Sequence, residues 1–212
     1  MNNRAYLNRL FESDKPLIIY KATEGFDVYT DFSDKIKINK SNIKNFLKKT
    51  TFLGKKRNKY FDGYIGFFGY ELCCEIIGVK IPKQHSNNFF KSIFYKPQTV
   101  IKIRKNIISQ STLPNFKYLK NLKKTRKKFF YQKKFKVNLT LHQYSKLFNK
   151  FSKKIKQGET YQIKICQKFR NNSRIDPIKF FWNLMESNTS PESFLIRDRN
   201  YSIISCSPET LI

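Results

Sequence analysis

The sequence is short of acid. Its 212 residues hold 15 Asp and Glu against 43 Lys and Arg, a formal net charge of +28 at pH 7, with only two histidines, four cysteines, seven glycines and seven prolines. Each scarcity excludes something. Cys73 and Cys74 are vicinal and Cys166 and Cys206 isolated. That spacing suits neither a disulfide framework nor a zinc site, so the four read as reduced core residues. His85 and His142 have no cysteine or carboxylate at ligand spacing, which argues against a metal centre or a catalytic triad. No long apolar run exists: the weakly polar stretch 63–79 is broken by Glu71 and Glu75 and is shorter than the roughly 20 apolar residues a bilayer span requires. The N-terminal residues lack the apolar core and small-residue cleavage site of a secretory signal, so the expected location is the cytoplasm. In that setting the sequons at Asn138 and Asn188 carry no meaning.

What is present is a foldable chain. With 40% apolar residues rich in Ile and Phe, it is neither a disordered polymer nor a low-complexity linker. The length suits one domain or one and a half. The charge invites a nucleic-acid reading, because cationic patches gain affinity for phosphate backbones by releasing counterions. Residues 117–136 are the densest basic run, ten Lys and Arg without an acid and with Tyr118, Phe129, Phe130 and Tyr131 interleaved, which could form a stacking platform for single strands. The competing reading is a solvated connection whose aromatics tuck back onto the core. Enrichment of Lys together with Asn, Ile and Phe marks AT-rich codon usage on tolerant surface positions, and no helix-turn-helix, zinc-finger or RNP pattern supports the alternative.

Along the chain, Leu17 to Tyr20 and Phe26 to Tyr29 read as short strands separated at Glu24-Gly25 and ended at Asp31 to Asp34. Ser41 precedes a short amphipathic helix with Ile43, Phe46 and Leu47 on one face. In Asp62 to Leu72, glycines 63, 66 and 69 alternate with aromatics, and glycine inside a strand marks a bulge or a close backbone approach. Residues 98–112 form a hairpin turning at Arg104 to Asn106. Residues 139–156 are the clearest helix, with Leu141, Tyr144, Leu147, Phe148, Phe151 and Ile155 on one side, Thr140 as N-cap and Gly158 as stop. Tyr161, Ile163 and Ile165 alternate with polar neighbours as a half-buried strand reaching Phe169. Asp176-Pro177 opens a helix carrying Phe180, Phe181, Leu184 and Met185. Residues 193–196 and 201–205 pair as a final hairpin. Short antiparallel strands with helices laid on them make the expected class α+β. The expected organisation is an N-terminal domain over 1–116, a Lys-rich connection over 117–136 and the start of a second domain over 137–212. A core begun so late has few elements left to close it, and an unpaired final strand is a sheet edge that proteins normally cover, so the chain is expected to be incomplete.

Four segments in order, GYIGFFGYEL at 63–72, GETYQIKICQKF at 158–169, NTSPESFLI at 188–196 and SIISCSPETLI at 202–212, resemble the chorismate-utilising enzymes, and within them component I of anthranilate synthase and of aminodeoxychorismate synthase. The resemblance implies an antiparallel β-sandwich with flanking helices, of which the C-terminal part would be missing here. It also implies chorismate as substrate, Mg²⁺ held by glutamates beyond residue 212, and ammonia from a glutamine amidotransferase subunit, component II. The anthranilate branch, with release of pyruvate and a place in tryptophan synthesis, is preferred; the alternative is the aminodeoxychorismate branch leading to p-aminobenzoate and folate. This stretch alone is expected to be inactive, and a scaffolding remnant that binds the amidotransferase is a further possibility.

Two sets of residues carry over from the resemblance. Glu209, in Ser207-Pro208-Glu209, corresponds to a glutamate facing the chorismate pocket, where a carboxylate can relay a proton to the departing ring hydroxyl. Asn188, Ser190 and Pro191 correspond to the turn of the family's tryptophan inhibitor pocket. Glu192 stands where that turn usually has tyrosine and Thr189 where it has proline, and Leu17-Ile18-Ile19-Tyr20 stands where the opposing strand should read Leu-Leu-Glu-Ser. The turn is therefore expected to be structural. Gln162, Lys164 and Gln167 read as solvated positions on the polar side of their strand.

Overall fold

The computed structural model describes residues 3–53, 61–80, 92–105, 107–112, 128–188 and 190–207. In chain order its elements are α1 (Asn3–Glu12), β1 (Leu17–Ala22), β2 (Gly25–Lys37), α2 (Ile43–Leu53), β3 (Ile65–Phe68), α3 (Tyr70–Ile77), β4 (Ser92–Arg104), β5 (Ile107–Thr112), β6 (Lys136–Val137), α4 (Leu141–Lys156), β7 (Phe169–Arg170), α5 (Pro177–Ser187), β8 (Glu192–Arg197) and β9 (Ser202–Ser207). The class is α+β. The chain divides into two compact units, residues 1–125 with 177–212, and residues 126–176.

In the first unit one antiparallel sheet of seven strands runs β3-β4-β2-β1-β8-β9, with β5 beside the second half of β4. Period-two alternation sends successive side chains to opposite faces. Leu17 and Ile19 of β1, Val28, Ile101 and Leu195 therefore meet Tyr6, Leu7 and Leu10 of α1 and Ile178 and Phe181 of α5 on one face. On the other face Ile18, Tyr29, Ile93, Tyr95, Val100 and Ile196 form a second cluster. A third, smaller cluster of Ile38, Phe46 and Leu72 anchors α2 and α3.

Several expectations change here. β2 does not stop at Asp31. It runs 13 residues, with Asp31 at φ 57° and a register shift between Phe32 and Asp34, so the polar stretch is a bulge that curls the strand rather than a turn. Asp31 is tolerated in the core because Lys15 pairs with one carboxylate oxygen and the Tyr6 hydroxyl lies 3.5 Å from the other. The glycine-aromatic segment splits: its strand ends at Phe68, and Tyr70 begins α3, which closes on Gly78 at φ 79°. Ahead of α2 the acceptor is Asn39, whose Oδ1 takes the N–H groups of Ser41 and Asn42, rather than a Ser41 cap. Of the cysteines only Cys74 is buried; Cys73 and Cys166 are exposed and all four are free thiols. The N-terminal helix α1 was not expected.

The β8–β9 turn is held by a polar knot. Tyr95 Oη donates to Asp198 Oδ2 at 2.6 Å, Lys35 Nζ reaches the same oxygen at 2.5 Å, and the Tyr95 and Tyr201 hydroxyls touch. Burial pushes the Asp198 carboxyl up, but the hydrogen bonds from Lys35, Tyr95 and the Arg199 N–H and the Lys35 charge outweigh it and hold the group below the usual carboxylate range.

In the second unit, Thr140 and Gln143 form a reciprocal capping box at the start of α4, Thr140 Oγ1 accepting from the Gln143 N–H at 3.3 Å and Gln143 Oε1 from the Thr140 N–H at 2.9 Å. Gly158 at φ 74° follows its end. Both match the sequence pattern. The alternating segment 161–168 does not form a strand; only Phe169–Arg170 pairs, with Lys136–Val137. Residues 129–131 are exposed rather than folded back onto a core. Among the described residues no helix is long and apolar enough to cross a membrane.

Two glycines separate steric from conformational demand. A Cβ on Gly66 would sit 2.1 Å from the Ile93 carbonyl oxygen and 2.7 Å from Phe94 Cα, both backbone atoms, whereas at Gly78 it would meet open space. Gly66→Ala is expected to cost about 1–3 kcal/mol or more through overpacking, and Gly78→Ala about 1–2 kcal/mol through left-handed backbone alone. Urea midpoints of the two variants check the order; equal losses would show that β3 does not press on β4 as described.

Candidate functional site

The pairing of β1 with β8 builds a concavity at one end of the sheet. Ile18 faces Ile196 and Tyr20 faces Phe194 across the ladder, so Tyr20 and Glu192 lie on the same face as diagonal neighbours, a spacing long side chains bridge. Tyr20 Oη donates to Glu192 Oε2 at 2.6 Å, and Lys21 Nζ donates to the Ser190 carbonyl at 2.8 Å. A cavity of about 460 Å³ opens there, lined by Tyr20, Lys21, Ala22, Thr23, Pro191 and Glu192.

The turn that faces β1 is internally tied. The Asn188 N–H donates to the Leu184 carbonyl, continuing α5. Ser190 Oγ lies 2.8 Å from Asn188 Oδ1, and the buried Ser193 Oγ donates to the Ser190 carbonyl at 3.0 Å. The Ser190 carbonyl thus accepts from both Ser193 and Lys21, which leaves the turn little freedom to move toward a ligand. The hydrogen bond to Glu192, then burial, then the Glu192 charge raise the Tyr20 phenol above its ordinary value.

Of the turn residues Pro191 lines the cavity, with residues 20–23 and Glu192, whereas Asn188 and Ser190 are not among its lining residues. Glu209 and the Ser-Pro-Glu motif beyond Ser207 lie outside the described residues, as do Thr189, His85 and most of the basic run. Gln167, in the other unit, donates from Nε2 to the Leu139 carbonyl at 3.1 Å. Among the described residues no group of three His, Cys, Asp or Glu side chains could hold a metal ion, so they offer no donor set for Mg²⁺.

The fold is α+β, and the sequence match names the class: the profile of the chorismate binding enzymes matches residues 8–212, and the chain belongs to that family. It is similar to anthranilate synthase component 1 of Buchnera aphidicola subsp. Pemphigus spyrothecae, with 26% identity over 97% of this chain and 39% of that protein. It is also similar to proteins of the same name from Buchnera aphidicola subsp. Baizongia pistaciae, 30% identical over 53% of this chain and 19% of that protein, and from Haloferax volcanii, 30% identical over 33% and 13%. The chain spans about two-fifths of the length of the first of these relatives.

Sequence reasoning missed Lys21 and the partnership of Tyr20 with Glu192. It treated the unusual residues in β1 and in the turn as two separate departures from the family pattern. The available signal was their coincidence: two unusual residues, 172 positions apart, in the two strands that such a pocket requires.

Replacing Glu192 with Gln removes the charged acceptor, so the Tyr20 phenol should titrate lower, nearer to about 10. A phenol raised by folding contributes stability that is complete below about pH 10 and is lost as the pH climbs through the folded value. Glu192→Gln should flatten that part of the alkaline stability loss. Phenolate absorbance, differenced against Tyr20→Phe in both backgrounds, isolates the group among the 12 tyrosines; an unmoved Tyr20 titration would break the pairing.

Proposed function

We propose that the chain is a portion of component I of an anthranilate synthase, which converts chorismate and ammonia to anthranilate and pyruvate in the cytoplasm. The observation that carries this reading is the similarity to a protein of that name along 97% of the chain, with two further relatives of the same name behind it. In this reading residues 1–116 belong to the N-terminal domain, 117–136 to a connection and 137–212 to the start of the chorismate-binding lobe, which becomes a two-layer sandwich when complete. Glu209 is the proton relay to the departing hydroxyl, a role that asks for a carboxylate within hydrogen-bond reach of it in a dry cleft. Mg²⁺, when bound, would neutralise substrate carboxylates, and its ligands lie outside this sequence. A glutamine amidotransferase subunit supplies the ammonia.

The decisive experiment uses a chimera that joins this chain at residue 212 to the part of the Pemphigus-associated relative that lies outside the match. With chorismate, ammonium and Mg²⁺ the chimera should form anthranilate and release pyruvate in equal amounts, and Glu209→Gln should lower the rate by about 10²-fold or more. An aminated product without pyruvate would move the chain to the aminodeoxychorismate branch.

The turn of Asn188, Ser190 and Pro191 we assign a structural role. Tyr20 already occupies Glu192, which lines the cavity, and Lys21 already occupies the Ser190 carbonyl of the turn, so a ligand that used both acceptors would have to displace both donors. Added tryptophan is accordingly expected to leave the melting temperature of the chain unmoved. A rise that saturates with concentration is the signature of a ligand bound to the folded state and would make the turn an effector site instead.

A further inference from the structure

The second unit places aromatic rings in water on a backbone that is held in position. Residues 128–138 run antiparallel to residues 168–174. Phe130 and Arg174 exchange N–H to carbonyl hydrogen bonds at 2.9 Å, Lys136 and Val137 pair with Arg170 and Phe169, and the Asn138 N–H donates to the Lys168 carbonyl at 3.2 Å. Between these points the Gln132 N–H donates to Ser173 Oγ at 2.8 Å and Asn171 Nδ2 to the Gln132 carbonyl at 3.0 Å. Phe129, Phe130, Tyr131 and Phe135 nevertheless stand 42%, 53%, 67% and 49% exposed. Phe135 meets Phe169 edge to face at 6.5 Å, and both rings stay open to solvent. Four large rings within seven residues are not an ordinary scatter of surface hydrophobics.

Charge narrows the occupant. The two segments carry Lys128, Lys133, Lys134, Lys136, Lys168, Arg170 and Arg174, all exposed, and no acid. An apolar element laid over the rings would strip water from these cations without supplying counter-charge. A polyanion supplies that charge and releases its own counterions in doing so. Among polyanions, a single strand of nucleic acid also brings unpaired flat bases, which stack on exposed aromatic side chains with little regard to sequence. In a duplex those faces are already taken up by stacking. Codon usage explains why lysine is frequent, but it gives no reason for the rings to stand beside the lysines in solvent.

We propose that the ribbon of residues 128–138 and 168–174 binds single-stranded nucleic acid, its rings stacking on bases and its lysines and arginines meeting phosphates. The competing expectation, aromatics tucked back onto a core, is what the exposure of Phe129 to Tyr131 removes. A backbone fixed before the strand arrives loses little freedom on binding. Phosphate contacts and stacking read no base edges, so binding is broad in sequence. The activity is separate from chorismate chemistry and does not depend on which branch the enzyme serves.

The test titrates the full chain into a short fluorescent oligothymidylate, and into the matching oligouridylate, as salt rises from about 50 to about 200 mM. Both should bind, with log K falling against log salt at a slope of about −3, the value for roughly four neutralised phosphates. A chain of net charge +28 attracts any polyanion, so the rings decide the outcome. Phe130→Ala and Tyr131→Ala should each weaken binding by about tenfold and leave the slope unchanged. Lys133→Gln with Lys134→Gln should flatten the slope by about 1 to 2. Melting should be the same in all of these variants, because the side chains are exposed. Lys146→Gln with Lys150→Gln, which removes two charges from α4, should cost less than either ring. Ultraviolet crosslinking should attach the oligothymidylate within residues 128–138. No binding at the lower salt, ring variants that bind like the parent, or a larger loss from the α4 pair overturns the proposal. So does an equal loss of heparin binding by the ring variants, which would leave charge without stacking, or binding confined to anionic vesicles. A fall in melting temperature with Phe130→Ala would make the ring part of a core and overturn it as well.

Discussion

The first unit depends on one long-range pairing, β1 with β8. Leu17 to Tyr20 meet Phe194 to Arg197 across the interior of the sheet, joining segments about 175 residues apart in sequence. Loop closure over such a distance costs entropy that must be offset by what the contact buries. The return is an alternating row: Leu17, Ile19 and Leu195 feed one core and Ile18 and Ile196 the other. Arg197 ends the pair and reaches back to the carbonyls of Leu10, Phe11 and Lys15, each at 2.9 Å. One guanidinium thereby satisfies the exit of α1 and fixes its angle over the sheet, a use of planar donors that lysine could not reproduce.

The same register decides the site. A slip of one residue would turn Tyr20 to the other face, and the hydrogen bond to Glu192 would vanish along with the wall of the cavity. The tie between Lys21 and the Ser190 carbonyl would go with it. A site built on a ladder in this way is set by the sheet as much as by the loop, and the turn is tied to β1 by Lys21, to α5 by the Asn188 N–H and to β8 by Ser193.

Much of the architecture was legible. Periodicity identified α4, α5 and the two hairpins because those segments carry an apolar face or pair locally. Thr140 and Gly158 read correctly because caps are local chemistry. Failures came where meaning is set by something distant. Asp31 looked like a turn, since nothing nearby in sequence announces that Lys15 and Tyr6 will meet it inside the core. Residues 161–165 alternate like a strand, but alternation makes a strand only when a partner offers a ladder, and in the described structure the pairing begins at Phe169. Tyr70 and Leu72 read as strand because aromatics favour β structure, yet Gly69 precedes a helix whose Leu72 is needed under α2. At the site, the turn was recognised from its motif, while the partner that gives Glu192 its meaning was visible only through the fold.

Scarcity of acid makes the acids informative. Among the described residues, Asp31 meets Lys15 in the core, Asp198 meets Lys35 and Tyr95, Asp27 meets Arg104 at 2.5 Å, and Asp62 meets Lys96 at 3.1 Å. Asp34 accepts from the Tyr64 hydroxyl at 3.0 Å and Glu192 from Tyr20. These carboxylates sit where a strand bends, a turn crosses the sheet or the cavity opens; for Asp31, whose carboxylate is fully buried, removing the partner is far costlier than losing a solvated charge, while the pairs of Asp198, Asp62 and Asp27 are partly exposed. Lysines, by contrast, crowd exposed positions such as those on α4, where a single charge contributes little. Those acids are tied to folding or to the cavity, whereas Glu12, Asp14, Glu24, Glu159 and Glu186 stand exposed like most of the lysines.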